Sequence, residues 1–499
     1  MDGVSSVGSV IDGQDQIKRG MLWLGSATMA ARLLDVGATL AVVGLLSQKQ
    51  MGLASLALSA CAILESLSGL GIGSALIQAK ELNRQEESSL FWITSAGGVV
   101  LGLILIGLGP ILMATYPEPQ LGSLLAVSAL KLALVGTSVV PLQLLSKSLQ
   151  FREIGTVQTL ASLGEGLTKI LLAFAGAGAW ALVLGNVARG LVLLLAVLAL
   201  GRFRPLWHVS WSEAQRFVRF GAKVAGSGVL YQLYKNSDYF LVGKLLGTET
   251  LGLYRVAFDV AMQATDAIII VVGRVGFPVY ARLSHDLAAL RATFLSNTRS
   301  IFLLVAPVAA LIFFAAEPLL ALLGGGRWSA AVPAVRVLVW ASVVRAATTT
   351  FPSVYVALGK PGYSTIESLV TLVLLVASFW LGLTYFSEWG VLSVCYAWLL
   401  VCPLLLLAHL WVMRQLIQLS LRAYARALLA GLGPVPFIVA GLSLLDQSPL
   451  FAEGGSLRLV LLAAATLGIH WAYLKWILGV RLSELMPKRA PRAVAPGSS

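Results

Sequence analysis

The chain has 499 residues, of which 58% are hydrophobic and 12% charged, and its mean hydropathy is +0.85. A soluble globular enzyme of this length needs a far more charged surface, so the bilayer is the solvent this composition fits. The net charge of +13 would suggest nucleic acid in a soluble protein, but basic loops beside a membrane account for it here, and no nucleic-acid partner is expected.

Backbone groups in lipid must bond internally, which leaves helices or a closed barrel. The apolar runs are about twenty residues, the length a helix needs, and lack the ten-residue alternation of barrel strands. In chain order they predict spans at 20–46, 52–76, 89–115, 121–146, 155–176, 179–200, 220–244, 252–280, 298–324, 332–357, 363–385, 390–412, 423–444 and 457–479. The expected fold class is an all-α polytopic membrane protein with about 14 transmembrane helices. The first span follows a polar leader and is too long for a signal-peptide core.

Residues 1–200 hold six spans, read as an N-terminal lobe. At 201–219, Trp207, Trp211, Phe217 and Phe220 alternate with Arg204, Arg216 and Arg219, and Ser210 with Glu213 has capping-box spacing. This predicts a short amphipathic helix in the membrane interface, linking the lobes. Residues 220–412 hold six more spans, a C-terminal lobe; 413–480 add two spans, and 481–499 form a basic tail. A repeat at an offset of 200 residues supports the two lobes: LLSQKQMGLA from Leu45 to Ala54 and LLGTETLGLY from Leu245 to Tyr254 share Leu, Leu, Gly and Leu in register. Both copies occupy the turn between a lobe's first and second spans, as in a parallel repeat about an axis along the membrane normal.

Basic residues crowd one side of this topology. Lys18, Arg19, Arg84, Lys147, Arg204, Arg282, Lys360, Arg422 and Arg489 are among those on the side of the N-terminus, whereas Lys49, Lys244, Arg327 and Arg458 lie opposite. The bias predicts cytoplasmic termini and an even number of spans. Trp23, Trp92, Trp180, Trp328, Trp389 and Trp476 fall near span ends, either as headgroup anchors or as core aromatics. Cys61, Cys395 and Cys402 read as small core residues.

Charges inside spans are costly and therefore informative. The first lobe has Arg32, Asp35, Glu65, Lys131, Glu165, Lys169 and Arg189; the second has Lys223, Lys235, Asp238, Arg255, Asp259, Asp266, Arg274, Arg336, Arg345 and Glu367. Arg32/Asp35, Glu165/Lys169, Lys235/Asp238 and Arg255/Asp259 have the spacing of pairs on one helix face, which are either self-neutralised or lining a cavity for an anionic headgroup. Arg32, Lys235 and Arg255 are the candidate substrate-binding cations, since an Arg fork suits a pyrophosphate. Asp35, Glu165, Asp259 and Asp266 are candidate carriers of a coupling proton or sodium ion. Arg274, Arg336 and Arg345 lie nearer span ends, where snorkelling is expected. His409 and His470 read as interior hydrogen-bonding residues. Gly69, Gly71, Gly73, Gly98 and Gly102 allow close helix packing. The sequence has no phosphate loop, no metal-ligand spacing, and neither the paired Asp motif nor the large outer loop of a membrane glycosyltransferase. No catalytic residue, metal or cofactor is expected.

Three stretches carry a resemblance: GIGSALIQ from Gly71 to Gln78, NSDYFLVGKLLG from Asn236 to Gly247 followed by LGLY to Tyr254, and FPVYARL from Phe277 to Leu283. They resemble the polysaccharide transporter family of O-antigen and exopolysaccharide flippases, in its colanic-acid-exporter-like branch, within the multidrug/oligosaccharidyl-lipid/polysaccharide exporter superfamily. The resemblance covers roughly 20–480. It implies two six-helix lobes around a central cavity plus two C-terminal helices. It also implies alternating-access transport of undecaprenyl-pyrophosphate-linked repeat units across a bacterial inner membrane. The cavities of that family are often cationic, which directs attention to Arg32, Lys235 and Arg255. Membrane lipids, and a polysaccharide polymerase with its chain-length machinery, are the partners it suggests. A cation-coupled drug exporter of the same superfamily is the alternative function.

Overall fold

In a computed structural model, the structure describes Trp23, Gly25 and residues 27–31, 34–69, 71–79, 82–201, 203–447 and 455–479. Arg32 and the basic tail 481–499 lie outside the described residues. Among these residues the secondary structure is helical, with no strand. A first helix, α1, covers 34–43. It is followed by α2 (Gln48–Ser68), α3 (Ile72–Gln78), α4 (Arg84–Thr115), α5 (Pro119–Lys147), α6 (Phe151–Phe174) and α7 (Ala179–Gly201). The second half begins with α8 (Trp211–Leu245), α9 (Gly247–Arg282), α10 (Leu287–Gly324), α11 (Val332–Thr348), α12 (Phe351–Ala357), α13 (Gly362–Tyr385) and α14 (Val391–Ile417). It closes with α15 (Leu421–Leu432), α16 (Val435–Asp446) and α17 (Ser456–Trp476).

Nine helical stretches among the described residues are long and apolar enough to cross a membrane, and one of them, Leu287–Ala357, holds both α10 and the α11–α12 pass. Helices α6, α8 and α9 are equally long but carry the interior charges. Together with α1 they give about fourteen passes, an all-α multi-pass membrane protein. Local chemistry sets the boundaries. Ser47 and Gln50 make a capping box at the start of α2, Asn83 and Glu86 another at α4, and the Asp286 carboxylate accepts from two backbone N–H groups at the start of α10. Each satisfies donors that a helix start leaves unpaired.

Helices α2 to α7 pack on one another as one lobe and α8 to α14 as a second; α15, α16 and α17 lie against α10. The lobes meet mainly through α2 against α8 and α9. That joint is the repeat seen in the sequence. Gly52 lies against the backbone carbonyl of Thr248, and Gly252 against that of Gln48, so each copy of the motif receives the other's main chain where a side chain would stand. Polar contacts flank the crossing. Glu118 accepts from Thr248 Oγ1 at 2.9 Å and pairs with Lys49 at 2.9 Å. Arg327 donates to the Leu46 carbonyl at 2.9 Å, and Gln48 donates to the Arg327 carbonyl at 2.6 Å. Gly98 is a second close approach, set against the main chain of α5 at Leu132.

Two expectations need correction, and Trp328, left open between headgroup anchor and core aromatic, takes the second role. The linker is not a separate amphipathic helix: 203–210 is non-helical, and α8 runs unbroken from Trp211 into the seventh span. The Ser210–Glu213 capping box is absent because the Glu213 carboxylate is spent elsewhere, accepting from Ser89 Oγ at 3.0 Å and contacting His208 at 3.2 Å. Trp328 is no headgroup anchor, since it is fully buried and its indole N–H donates to the Val43 carbonyl across the lobe joint at 3.1 Å.

Candidate functional site

The interior charges of the first lobe converge from five helices. Helical spacing puts Glu165 and Lys169 of α6 one turn apart, and they pair at 2.7 Å. The second Glu165 oxygen holds Arg189 of α7 at 2.8 Å, whose guanidinium also donates to Ser162 Oγ at 3.0 Å. Lys169 reaches Asp35 of α1 at 3.5 Å. Beside this chain of four, Lys131 of α5 pairs with Glu65 of α2 at 2.7 Å. Lys131, Glu165 and Lys169 are buried. A buried charge persists only when paired and hydrogen-bonded, and each of these is.

The second lobe is arranged differently. Arg255 and Asp259, one turn apart on α9, pair at 2.8 Å, and the Arg255 guanidinium lies 5.1 Å from the centroid of the Tyr239 ring on α8. Lys235 stands one turn before Tyr239 on the same face of α8. Its ammonium lies 5.7 Å from the Tyr231 ring centroid, and among the described residues no carboxylate is within 4.0 Å of it. The Lys235–Asp238 pair suggested by spacing does not form. Asp238 is fully buried, where its oxygens accept from the Tyr239 N–H at 2.9 Å and the Tyr254 hydroxyl at 2.7 Å. The Trp398 indole donates to that hydroxyl at 3.0 Å. Further along α9, Asp266 pairs with Arg345 of α11. Arg345 therefore does not snorkel to the interface: a carboxylate one helix away offers it a partner inside. Arg336 remains at the rim, half-exposed, 3.9 Å from Glu317. His409 contacts Glu367 at 3.2 Å and the Tyr355 hydroxyl at 2.9 Å.

Of the candidate substrate cations, Lys235 lies on Tyr231 and Arg255 on Tyr239, rings two turns apart on α8, while Arg32 lies outside the described residues. The four candidate coupling carboxylates sit apart: Asp35 and Glu165 in the first-lobe chain, Asp259 on Arg255, Asp266 on Arg345. Sequence reading missed these cross-helix partners: Glu65 for Lys131, Glu165 for Arg189, Asp35 for Lys169, Asp266 for Arg345 and Glu367 for His409. The one available signal was that each is an isolated charge in an apolar helix, which obliges a partner somewhere. Among the described residues, Lys235 has no carboxylate within 4.0 Å, so its charge is available to an anion, while Arg255 is paired with Asp259. Among the described residues no group of His, Cys, Asp and Glu could hold a metal ion.

Comparison with known proteins gives a consistent result. The model of a family described as polysaccharide biosynthesis protein matches residues 42–333. The chain is 23% identical over 466 residues to the teichuronic acid biosynthesis protein TuaB of Bacillus subtilis, covering 90% of this chain and 93% of the relative. It is 24% identical over 328 residues to the lipopolysaccharide biosynthesis protein WzxC of Escherichia coli, covering 65% of this chain and 67% of the relative. Among solved structures, the lipid II flippase MurJ in an inward closed conformation superposes with a TM-score of 0.75 at 10% identity, over 92% of this chain and 99% of that one. An inward-facing multidrug resistance MATE family transporter gives 0.61 at 16% identity, over 79% and 96%. At these identities the structural likeness shows the fold alone.

Proposed function

Because the chain belongs to the polysaccharide biosynthesis protein family, we propose that it is a flippase for undecaprenyl-pyrophosphate-linked oligosaccharide repeat units, working by alternating access in a bacterial inner membrane with both termini cytoplasmic. The observation that supports this reading is the pair of cations on the α8–α9 face: Lys235, which among the described residues has no carboxylate within 4.0 Å and lies on Tyr231, and Arg255, which lies on Tyr239 two turns further along α8. A pyrophosphate is the anion such a pair suits, because a guanidinium donates two parallel hydrogen bonds to it and an ammonium adds a point charge. Arg32, from the first span, is the third cation in the proposal. Two lobes related by a repeat suit a rocking motion that exposes such a surface to each side in turn. Asp35, Glu165, Asp259 and Asp266 are the proposed coupling groups, each held by a cation that a proton or sodium ion would have to replace. The cargo's partners in this reading are membrane lipids and the polymerase and chain-length machinery of the same pathway.

The test is deletion of the gene with extraction of lipid-linked oligosaccharides and assignment of the leaflet in which they accumulate. The expected result is cytoplasmic build-up with loss of surface polysaccharide, restored by the wild-type chain and not by Lys235→Glu at equal membrane abundance. A normal lipid-linked pool with intact surface polymer sinks the flippase reading. Changed sensitivity to organic cations in that strain would instead point to a cation-coupled small-molecule exporter.

A further inference from the structure

A second cationic site lies away from the α8–α9 surface. A cavity of ≈ 740 Å³ opens on the basic face of the first lobe, where the start of α4, the end of α5, the end of α7 and the linker before α8 meet. Arg84, Lys147 and Arg204 line it from three different elements, with Glu87 as its one carboxylate and Leu144 and Phe203 among its apolar walls. Arg84 Nη2 donates weakly to the Arg204 carbonyl at 3.5 Å, tying the helix start to the linker. Among the described residues, none of the three cations has a carboxylate within 4.0 Å. Neighbouring charges behave otherwise: Glu86 is taken by Arg216 and Glu213 by His208. Glu87 faces Lys147 and Arg84 across the cavity, so among the described lining residues three cations meet one carboxylate and a positive excess remains.

The rim of the same segment is apolar. Trp207 is 92% exposed yet stacked on Trp92 with ring centroids 4.6 Å apart, and Val209 and Trp211 are exposed beside it. Aromatic rings held rigidly in the open, next to basic residues at the ends of spans, belong at the headgroup level of a bilayer. Basic pockets between spans at that depth are complementary to phosphate headgroups.

We propose that this cavity binds the phosphate of an anionic phospholipid, with Arg84, Lys147 and Arg204 on the headgroup and the Trp207 edge in the acyl boundary. The site is separate from the cargo surface, and it stands whatever the lobes carry. Its ligand chemistry is shared by free phosphate, which has no tail for the apolar rim.

Native mass spectrometry of the purified full-length chain, titrated with phosphatidylglycerol or with phosphatidylcholine of the same acyl chains, tests it. The expected result is a preference for phosphatidylglycerol of roughly thirtyfold, the order that three basic contacts offset by one carboxylate supply. R84A/K147A/R204A should lose that preference, while R84K/R204K keeps most of it and R216A, whose guanidinium is spent on Glu86, keeps all of it. If the triple variant is not recovered, K147A alone reads the same quantity through a smaller drop. An unchanged preference in the alanine variants overturns the site. Displacement of the bound lipid by millimolar inorganic phosphate overturns its assignment to lipid.

Discussion

In the first lobe, Asp35, Lys169, Glu165 and Arg189 form a continuous ionic chain across α1, α6 and α7, and Lys131 with Glu65 fastens α5 to α2. In the second lobe the ionic contacts are separate pairs, Arg255 leans on an aromatic ring as well as on Asp259, and Lys235 has, among the described residues, an aromatic ring and no carboxylate within 4.0 Å. The halves share a repeat and a helix order, so the difference lies in side chains. A chain of mutually satisfied charges fixes helices against one another, because moving any one of them strands a charge in a poor solvent. Cations held by rings keep their fields available, since a quadrupole offsets only part of a charge. Among the described residues, the span-interior charges of the first lobe are mutually satisfied, whereas the second lobe leaves Lys235 without a carboxylate within 4.0 Å.

The contrast can be broken at its strongest point. Glu165→Ala leaves Lys169 and Arg189 sharing only Asp35 and Ser162, and should cost about 3–5 kcal/mol, the usual penalty for stranding a buried charge. Thermal unfolding in detergent reads it, and a loss below 1 kcal/mol would mean the chain is solvated rather than structural. Asp259→Ala sharpens the comparison. Arg255 keeps the Tyr239 ring, so the loss should be smaller, about 1–2 kcal/mol; equal losses in the two variants would erase the distinction between lobes. At the bottom of the range, Arg336→Ala removes a contact of 3.9 Å between side chains 41% and 63% exposed. Its effect should stay under about 0.5 kcal/mol, and a larger shift would show that the rim of the second lobe is less wet than its geometry implies.

The helices were legible because apolar runs of membrane length admit little else, and the repeat was legible because two copies of one turn keep its glycine in register. Glu165–Lys169 and Arg255–Asp259 could be read from spacing, since four residues make one turn. Lys131–Glu65 and Arg345–Asp266 could not, because they depend on which helices become neighbours, and apolar periodicity does not say. Lys235–Asp238 had acceptable spacing and still failed: the Asp238 carboxylate is fully buried and accepts from the Tyr254 hydroxyl of α9 and the Tyr239 N–H instead. The linker misled for a related reason. Its alternating Trp and Arg residues fit an interfacial helix, but the stack of Trp207 on Trp92 and the bond from the Trp92 indole to the Leu206 carbonyl at 2.8 Å hold that stretch extended.

The reciprocal seating of Gly52 and Gly252 has a consequence for descent. Each glycine makes room for backbone belonging to the other copy of the motif, so neither position can acquire a side chain while its counterpart stays in place. Two sites 200 residues apart are thereby inherited as one character. A chimaera joining the first lobe of one relative to the second lobe of another takes half of this crossing from each parent, and it assembles only where both parents kept the same small residue at the same turn.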